Sequence, residues 1–189
     1  MPYETNTRTG SDLRQGNGPI FSTMRLRRYP YRMADRDRDN AGRPLNARPR
    51  DELGRPLPHD AEGVPRIPDD LRLQPDEAIT EAQRLLDHGQ PFHAHEVLEG
   101  TWKIAPEDER ELWQGLAQLA VGLTHLMRGN RTGARSLLRQ GHDRIRHYEV
   151  SAPHGLDIAG LLTWSEHLTD EIDRIDPLPA TPIPRLRIP

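Results

Sequence analysis

The amino-acid sequence holds a histidine and a glutamate whose spacing could support chemistry. His95 and Glu99 are four residues apart on a predicted helix and share one face, and Glu96 follows His95 directly. The pair could act as a general acid and base, or as two ligands of a metal ion. Two ligands are too few for a closed zinc site, and the His-Glu-x-x-His pattern of metalloproteases is absent. Catalysis and metal binding therefore both stay open, and no particular cofactor is indicated.

The next predicted helix is apolar almost all round but carries a line of polar residues. These are Gln114, Gln118 and His125. Counting from the turn that joins the two antiparallel helices places His95 level with Gln118. By the same count Glu99 lies near Gln114, and His125 lies about 10 Å beyond. Because burying such groups is costly unless they pair, we expect a polar seam between the second and third helices. It is a packing network, a small-ligand pocket, or a metal or catalytic site.

An arginine stripe follows one face of the fourth predicted helix. Its members are Arg131, Arg135, Arg139 and Arg146. Such a stripe could bind phosphate or nucleic acid. However, Lys103 is the single lysine of the chain, so arginine is its general solvating cation, and few aromatic residues are interleaved for base stacking. We expect a solvated face or salt bridges to the acidic fifth helix, and do not expect nucleic acid as a partner.

Composition excludes several classes of protein. The chain has 189 residues, a net charge of −3 and no cysteine, which excludes disulfides, thiolate metal sites and cysteine nucleophiles. The first residues, Met1 to Thr5, lack the apolar core of a signal peptide. No phosphate-binding loop, nucleophile elbow or dinucleotide fingerprint occurs. These features predict a cytoplasmic protein with no membrane partner.

Apolar periodicity and helix punctuation predict five helices. Their starts lie near Pro75, Pro91, Pro106, Thr132 and Asp157, and their ends near Gly89, Lys103, Gly129, Tyr148 and Ile175. Short connections make neighbouring helices antiparallel. We predict an all-α bundle over residues 75–176. A disordered Arg-rich segment (1–40) and an extended Pro- and Arg-rich arm (41–74) precede it, and a Pro-rich tail (177–189) follows. The arm offers the bundle Leu45, Leu53, Leu57, Val64 and Ile67.

One stretch of sequence resembles a known family. It reads Phe92-His93-Ala94-His95-Glu96-Val97-Leu98-Glu99 with Trp102, and continues through Trp113-Gln114-Gly115-Leu116-Ala117-Gln118, His125 and Arg128-Gly129-Asn130. This pattern is similar to the domain-of-unknown-function family 309, over about residues 75–175. The resemblance implies a bacterial or archaeal all-α domain of about five helices, with no established activity, substrate or cofactor. It also implies a short list of site residues: His95, Glu96, Glu99, Trp102, Gln114, Gln118 and His125. His93 departs from the more usual acidic residue, and we assign it no role.

Together these patterns favour a binding or assembly module of unknown biochemical function over an enzyme. The alternatives are a metal-assisted hydrolytic or acid–base site at His95 and Glu99, and phosphate or nucleic-acid binding by the arginine stripe. A homodimer formed through the apolar side of the fifth helix is a further hypothesis.

Overall fold

The computed structural model describes residues 48–68, 71–174 and 181–188. These residues form five α-helices: α1 (Pro75–Asp87), α2 (Pro91–Ile104), α3 (Arg110–Met127), α4 (Arg131–Ile145) and α5 (Ile158–Arg174). Within the described ranges there is no β-sheet, and only two isolated bridges pair residues in extended conformation. The all-α prediction is confirmed. The predicted disordered segment 1–40 and Leu45 lie outside the described residues.

The helix ends follow local sequence signals. Pro75 begins α1, and the Glu77 carboxylate accepts a hydrogen bond from the Gln74 N–H at 3.1 Å, just ahead of the helix. Asn130 caps α4 with its own side chain, whose Oδ1 accepts from the Gly133 N–H at 3.0 Å. Helix α4 ends at Ile145, earlier than predicted, because residues 146–148 tighten into a 3₁₀ turn.

Helix α3 lies at the centre of the bundle. It packs on α2 on one side and on α4 on the other, while α1 packs on α2 and α5 packs on α4. Its buried residues lie on most of its circumference, as the continuous apolar pattern predicts. They include Leu112, Trp113, Leu116, Leu119, Leu123 and Leu126. None of the helices in the described part of the chain combines the length and apolar content that a membrane span requires.

Glycine residues bring α3 and α4 unusually close. A Cβ atom at Gly115 would lie 2.6 Å from Cγ2 of Ile145 and 3.1 Å from the carbonyl oxygen of Gly141. A Cβ at Gly141 would in turn lie 2.8 Å from the Gly115 carbonyl. The two backbones therefore meet where neither helix has a side chain, and this fixes how the polar residues of α3 face α4.

The segment before α1 folds against the bundle without forming a helix. Residues 49–57 make a compact turn in which Oδ1 of Asp51 accepts from the N–H groups of Leu53 (3.0 Å) and Arg55 (2.7 Å). Leu53 and Leu57 are buried, whereas Val64 and Ile67 are half-buried. The Asp51 side chain thus shapes a turn that places two leucines against the helices.

Candidate functional site

His95 and Glu99 lie in contact on α2. Nε2 of His95 is 3.4 Å from Oε2 of Glu99, and Nζ of Lys103 is 3.2 Å from the other oxygen, Oε1. The three residues are spaced i, i+4 and i+8 and form a line along one face. Their side chains are partly exposed, so this line lies at the surface of α2 rather than inside the bundle.

A cavity of about 300 Å³ lies between this face of α2 and the chain that leads into α1. We call it the α2 cavity. Its polar side consists of His95, Glu96, Glu99 and Lys103. Its apolar side includes Ile67, Pro68, Leu71, Leu73 and Val97. The volume falls at the lower end of the range for small-ligand pockets, roughly 300–1,000 Å³.

His95 is neutral near pH 7. Burial lowers the pKa of His95, and the carboxylates of Glu99 and Glu96 offset this only in part. The Nδ1 atom of the ring is buried, and a hydrogen bond with the Phe92 backbone also acts against the lowering of the pKa. Nε2, the other ring nitrogen, faces the carboxylate of Glu99.

His93, to which the sequence assigned no role, is the buried histidine of α2. Its side chain is 1% exposed, and its Nδ1 lies 3.0 Å from Oε2 of Glu96. Its Nε2 lies 3.3 Å from the carbonyl oxygen of Asp51. The ring therefore links α2 to the turn at residues 49–57. Because His93 is two residues from His95, the two side chains were correctly predicted to lie on different faces of α2. No signal in the sequence indicated that the turn covers the face of His93.

Phe92 completes this contact between α2 and the turn. The guanidinium groups of Arg50 and Arg128 lie 5.2 Å and 5.6 Å from the centre of its ring. Gly54 adopts φ +73°, and a Cβ there would lie 2.2 Å from Cγ of Phe92. The guanidinium of Arg128 also donates to the Leu53 carbonyl. Phe92 and His93 therefore hold the turn, and Phe92 also lines the α2 cavity together with His95, Glu96, Val97 and Glu99.

The expected polar seam between the second and third helices is wrong. Gln118 faces α4, where its Nε2 donates to Gln140 at 3.4 Å and its Oε1 accepts from Nε of Arg144 at 3.1 Å. Gln114 is half-buried on α3 and does not line the α2 cavity. Counting residues from a turn gives the level of a residue along a helix but not the rotation of the helix about its axis.

Two further residues of the signature, His125 and Trp102, have structural roles. Nδ1 of His125 lies 2.7 Å from Nδ2 of Asn130, the residue that caps α4. Trp102 is half-buried and packs against the core. His125 and Trp102 therefore lie apart from the α2 cavity and stabilise the ends of helices or the core.

The arginine stripe lies on the outer side of α4. Arg139 and Arg146 are exposed, and Arg131 and Arg135 are half-buried. Helix α4 also contacts the acidic face of α5 through His142, whose Nε2 is 3.6 Å from Glu166. Within the part of the chain that the structure describes, no three His, Asp or Glu side chains are grouped as metal ligands. The metal-dependent alternative at His95 and Glu99 therefore has no third protein ligand there.

Comparison with known proteins agrees with the signature. Residues 79–137 match the model of a family described as a domain of unknown function (DUF309). The predicted resemblance to this family is confirmed over these residues. The match contains α2 with His95, Glu96 and Glu99, and ends within α4. It does not include the turn at residues 49–57, α5 or the tail.

A curated relative is similar to part of this chain. The chain is 37% identical over 87 residues to the uncharacterized protein YpuF of Bacillus subtilis (strain 168). The match covers 44% of this chain and spans about half of the relative, 49% of its length. No solved structure matches the chain significantly. Neither the family description nor the name of the relative states an activity, so the biochemical function is unknown.

Proposed function

We propose that the DUF309 domain of this chain is a binding module whose α2 cavity takes a small amphiphilic cation, such as a primary amine with a short alkyl chain. The observation that supports this most is the composition of the cavity. Two carboxylates, Glu96 and Glu99, lie on one side, and aliphatic side chains such as Ile67 and Leu71 lie on the other. An ammonium group fits the first side and an alkyl chain fits the second.

The charge of the described lining favours a cation over an anion. Glu96 and Glu99 contribute two negative charges, whereas Lys103 contributes one positive charge and neutral His95 none. A bound carboxylate or phosphate would approach two carboxylates in a partly enclosed space with reduced dielectric, which is unfavourable. A bound ammonium would gain attraction and hydrogen-bond acceptors at the same place.

The state of His95 favours binding over acid–base catalysis. A general base needs a nitrogen lone pair that can reach the proton of a substrate. In His95 the Nδ1 atom is enclosed, and Nε2 faces the carboxylate of Glu99. Neither ring nitrogen is therefore presented to a molecule in the cavity, whereas the side chains of Glu96 and Glu99 are partly exposed.

A titration with three matched probes tests the proposal. n-Butylammonium, butan-1-ol and butyrate have the same alkyl chain and differ in charge, and backbone NMR shifts of α2 report binding of each. We expect n-butylammonium to bind at least about fivefold more tightly than butan-1-ol, which corresponds to about 1 kcal/mol, and butyrate to bind least. Equal shifts with all three probes, or none with n-butylammonium, would contradict the proposal.

Two isosteric variants locate the site. Glu99→Gln removes a carboxylate from the cavity and should weaken n-butylammonium binding. Glu107→Gln removes the same charge from a side chain that is 91% exposed in the turn before α3, and should leave binding unchanged. An equal loss of affinity in both variants would indicate a general charge effect instead of a site.

We further propose a cytoplasmic location in a bacterial cell. The composition and the absence of cysteine support the location, and the Bacillus subtilis relative supports the bacterial source.

A further inference from the structure

The described C-terminal residues, 181–188, lie extended across α1 and α5. Pro184 and Leu186 are buried, and Ile183 packs on the core. Leu186 is 3% exposed and contacts the same apolar slot as Leu86, Leu161 and Trp164. We call the surface that receives this segment the tail groove. It lies on a different side of the bundle from the α2 cavity and does not share its lining residues.

Side chains of the groove hydrogen-bond the backbone of the tail. Nε2 of Gln83 donates to the Pro184 carbonyl at 3.2 Å, and its Oε1 accepts from the Leu186 N–H at 2.7 Å. Nε1 of Trp164 donates to the Pro182 carbonyl at 3.0 Å. One amide side chain thus binds both a donor and an acceptor of the tail, as a neighbouring β-strand would. Backbone contacts of this kind are how peptide-binding domains hold extended ligands.

The side chains of the tail alternate between apolar and charged partners. Leu186 points into the slot, whereas Arg185 and Arg187 point to carboxylates of α1, because successive side chains of an extended chain lie on opposite sides. Nη1 of Arg185 is 3.3 Å from Asp87, and Arg187 pairs with Asp76. The groove therefore contacts a leucine flanked by two arginines, in addition to holding the backbone.

We infer that the tail groove is a peptide-binding site, and that the tail of a second copy of this chain occupies it when the resident tail is released. All of the contacts described above involve residues 182–187, so a short peptide contains the whole recognition sequence. Every copy of the chain carries this sequence together with the acidic groove that fits it. Exchange of an identical segment between copies is a common route to a dimer.

Two full-length variants test the groove and the tail separately. Leu186→Asp disables the resident tail and leaves every groove residue unchanged, so its groove is open. Gln83→Ala with Trp164→Phe damages the groove and leaves an intact tail that is free to bind elsewhere. We expect an equimolar mixture of the two to form a 1:1 complex in light scattering, while each variant alone stays monomeric. A mixture that contains only monomers would overturn the second-copy occupant.

A labelled peptide with the sequence of residues 181–188 tests recognition directly. We expect saturable binding to the Leu186→Asp chain, at least about tenfold weaker binding to the wild-type chain, and a further loss of about tenfold when Gln83→Ala is added. Gln140→Ala, a change at an exposed glutamine of α4, should have no effect. Binding that is indifferent to Gln83→Ala would overturn the site.

A second variant with an open groove controls for misfolding of the Leu186→Asp chain. Arg185→Glu with Arg187→Glu repels the resident tail from Asp87 and Asp76 without changing a buried side chain. If the peptide binds neither opened chain while both retain native circular dichroism, the inference is wrong.

Discussion

His93 and His95 illustrate how two residues of one motif acquire different surroundings. Both lie on α2, but His93 is enclosed between Glu96 and the Asp51 carbonyl, whereas His95 borders the α2 cavity. A buried ring with two polar partners contributes to stability through its packing and its hydrogen bonds. A ring at a cavity rim contributes less, because part of it is already in contact with solvent.

This difference predicts the effect of two alanine substitutions. His93→Ala should reduce the free energy of unfolding by about 2–4 kcal/mol, because it leaves a void and unpairs Glu96. His95→Ala should change it by less than about 1 kcal/mol. Urea denaturation followed by circular dichroism measures both values. The reverse order would show that His95, not His93, joins α2 to the rest of the fold.

The pH dependence of stability follows from His95 and His125. Burial lowers the pKa of both rings in the folded chain, whereas the unfolded chain binds these protons near pH 6.5. Below that pH the unfolded state therefore binds more protons, so stability is complete above about pH 6.5 and falls as the pH drops toward the folded-state values. The carboxyl groups of Glu81 and Glu109, whose pKa values are lowered, contribute at more acidic pH.

Urea denaturation between pH 8 and pH 5, in steps, measures this dependence. We expect His95→Gln to reduce the slope of the unfolding free energy against pH below about pH 6.5. His147, an exposed histidine in the turn after α4, provides the control, and His147→Gln should leave the slope unchanged. A slope that His95→Gln does not alter would mean that the ring titrates normally in the folded chain.

At the scale of elements, sequence signals located the helices well. Prolines, glycines and Asn130 are local signals, so starts and ends were predicted to within a few residues of those observed. The contact between His95 and Glu99 followed from their spacing within one helix. The placement of Gln118 against α4 did not follow from the sequence. The rotation of α3 about its own axis is decided by its glycine contacts with α4, and no pattern within one helix encodes these contacts.

The glycine contact between α3 and α4 gives a prediction of its own. Gly115→Ala should reduce stability by about 1–3 kcal/mol, because its Cβ would overlap Ile145. Gly100→Ala is the matched control in α2, where the new Cβ would lie 3.6 Å from the nearest described atom, and should gain up to about 1 kcal/mol from helix propensity. Thermal unfolding compares the two. Equal effects of the two substitutions would show that α3 and α4 can move apart without loss of stability.

At the scale of the whole molecule, two extended segments complete a bundle that the family match covers only in part. The turn at residues 49–57 packs on α2, and residues 181–188 pack on α1 and α5. Leu53 and Leu57 of the turn were predicted to lie on the bundle, whereas the C-terminal segment was predicted only to be an extended Pro-rich tail. The helix faces that the two segments cover were not predicted, because a segment without periodicity does not indicate which face it covers. The apolar face of α5, the expected dimer surface, is buried within the monomer through Ile158, Leu161 and Leu168.

The docking of the turn depends on Gly54. Gly54→Ala combines an unfavourable positive φ with overlap of Phe92, so the turn should detach and trypsin should cleave after Arg50 several-fold faster. Gly155→Ala has a similar backbone penalty at φ +67°, but its new Cβ meets only the edge of Arg187 among the described residues. It should leave cleavage after Arg50 unchanged. Equal cleavage rates would show that Phe92 does not hold the turn.

The claim that the α2 cavity binds a small cation is tested most directly by the histidine ring signals in NMR. The chain has nine histidines, of which His95 lines the α2 cavity and His154 forms a comparable pair with Glu109 elsewhere. On addition of n-butylammonium, we expect the His95 ring signals to shift saturably, with a lower pKa because a bound cation opposes protonation. The His154 signals should not move. If both rings respond alike, or His95 does not respond, the cavity does not bind the cation.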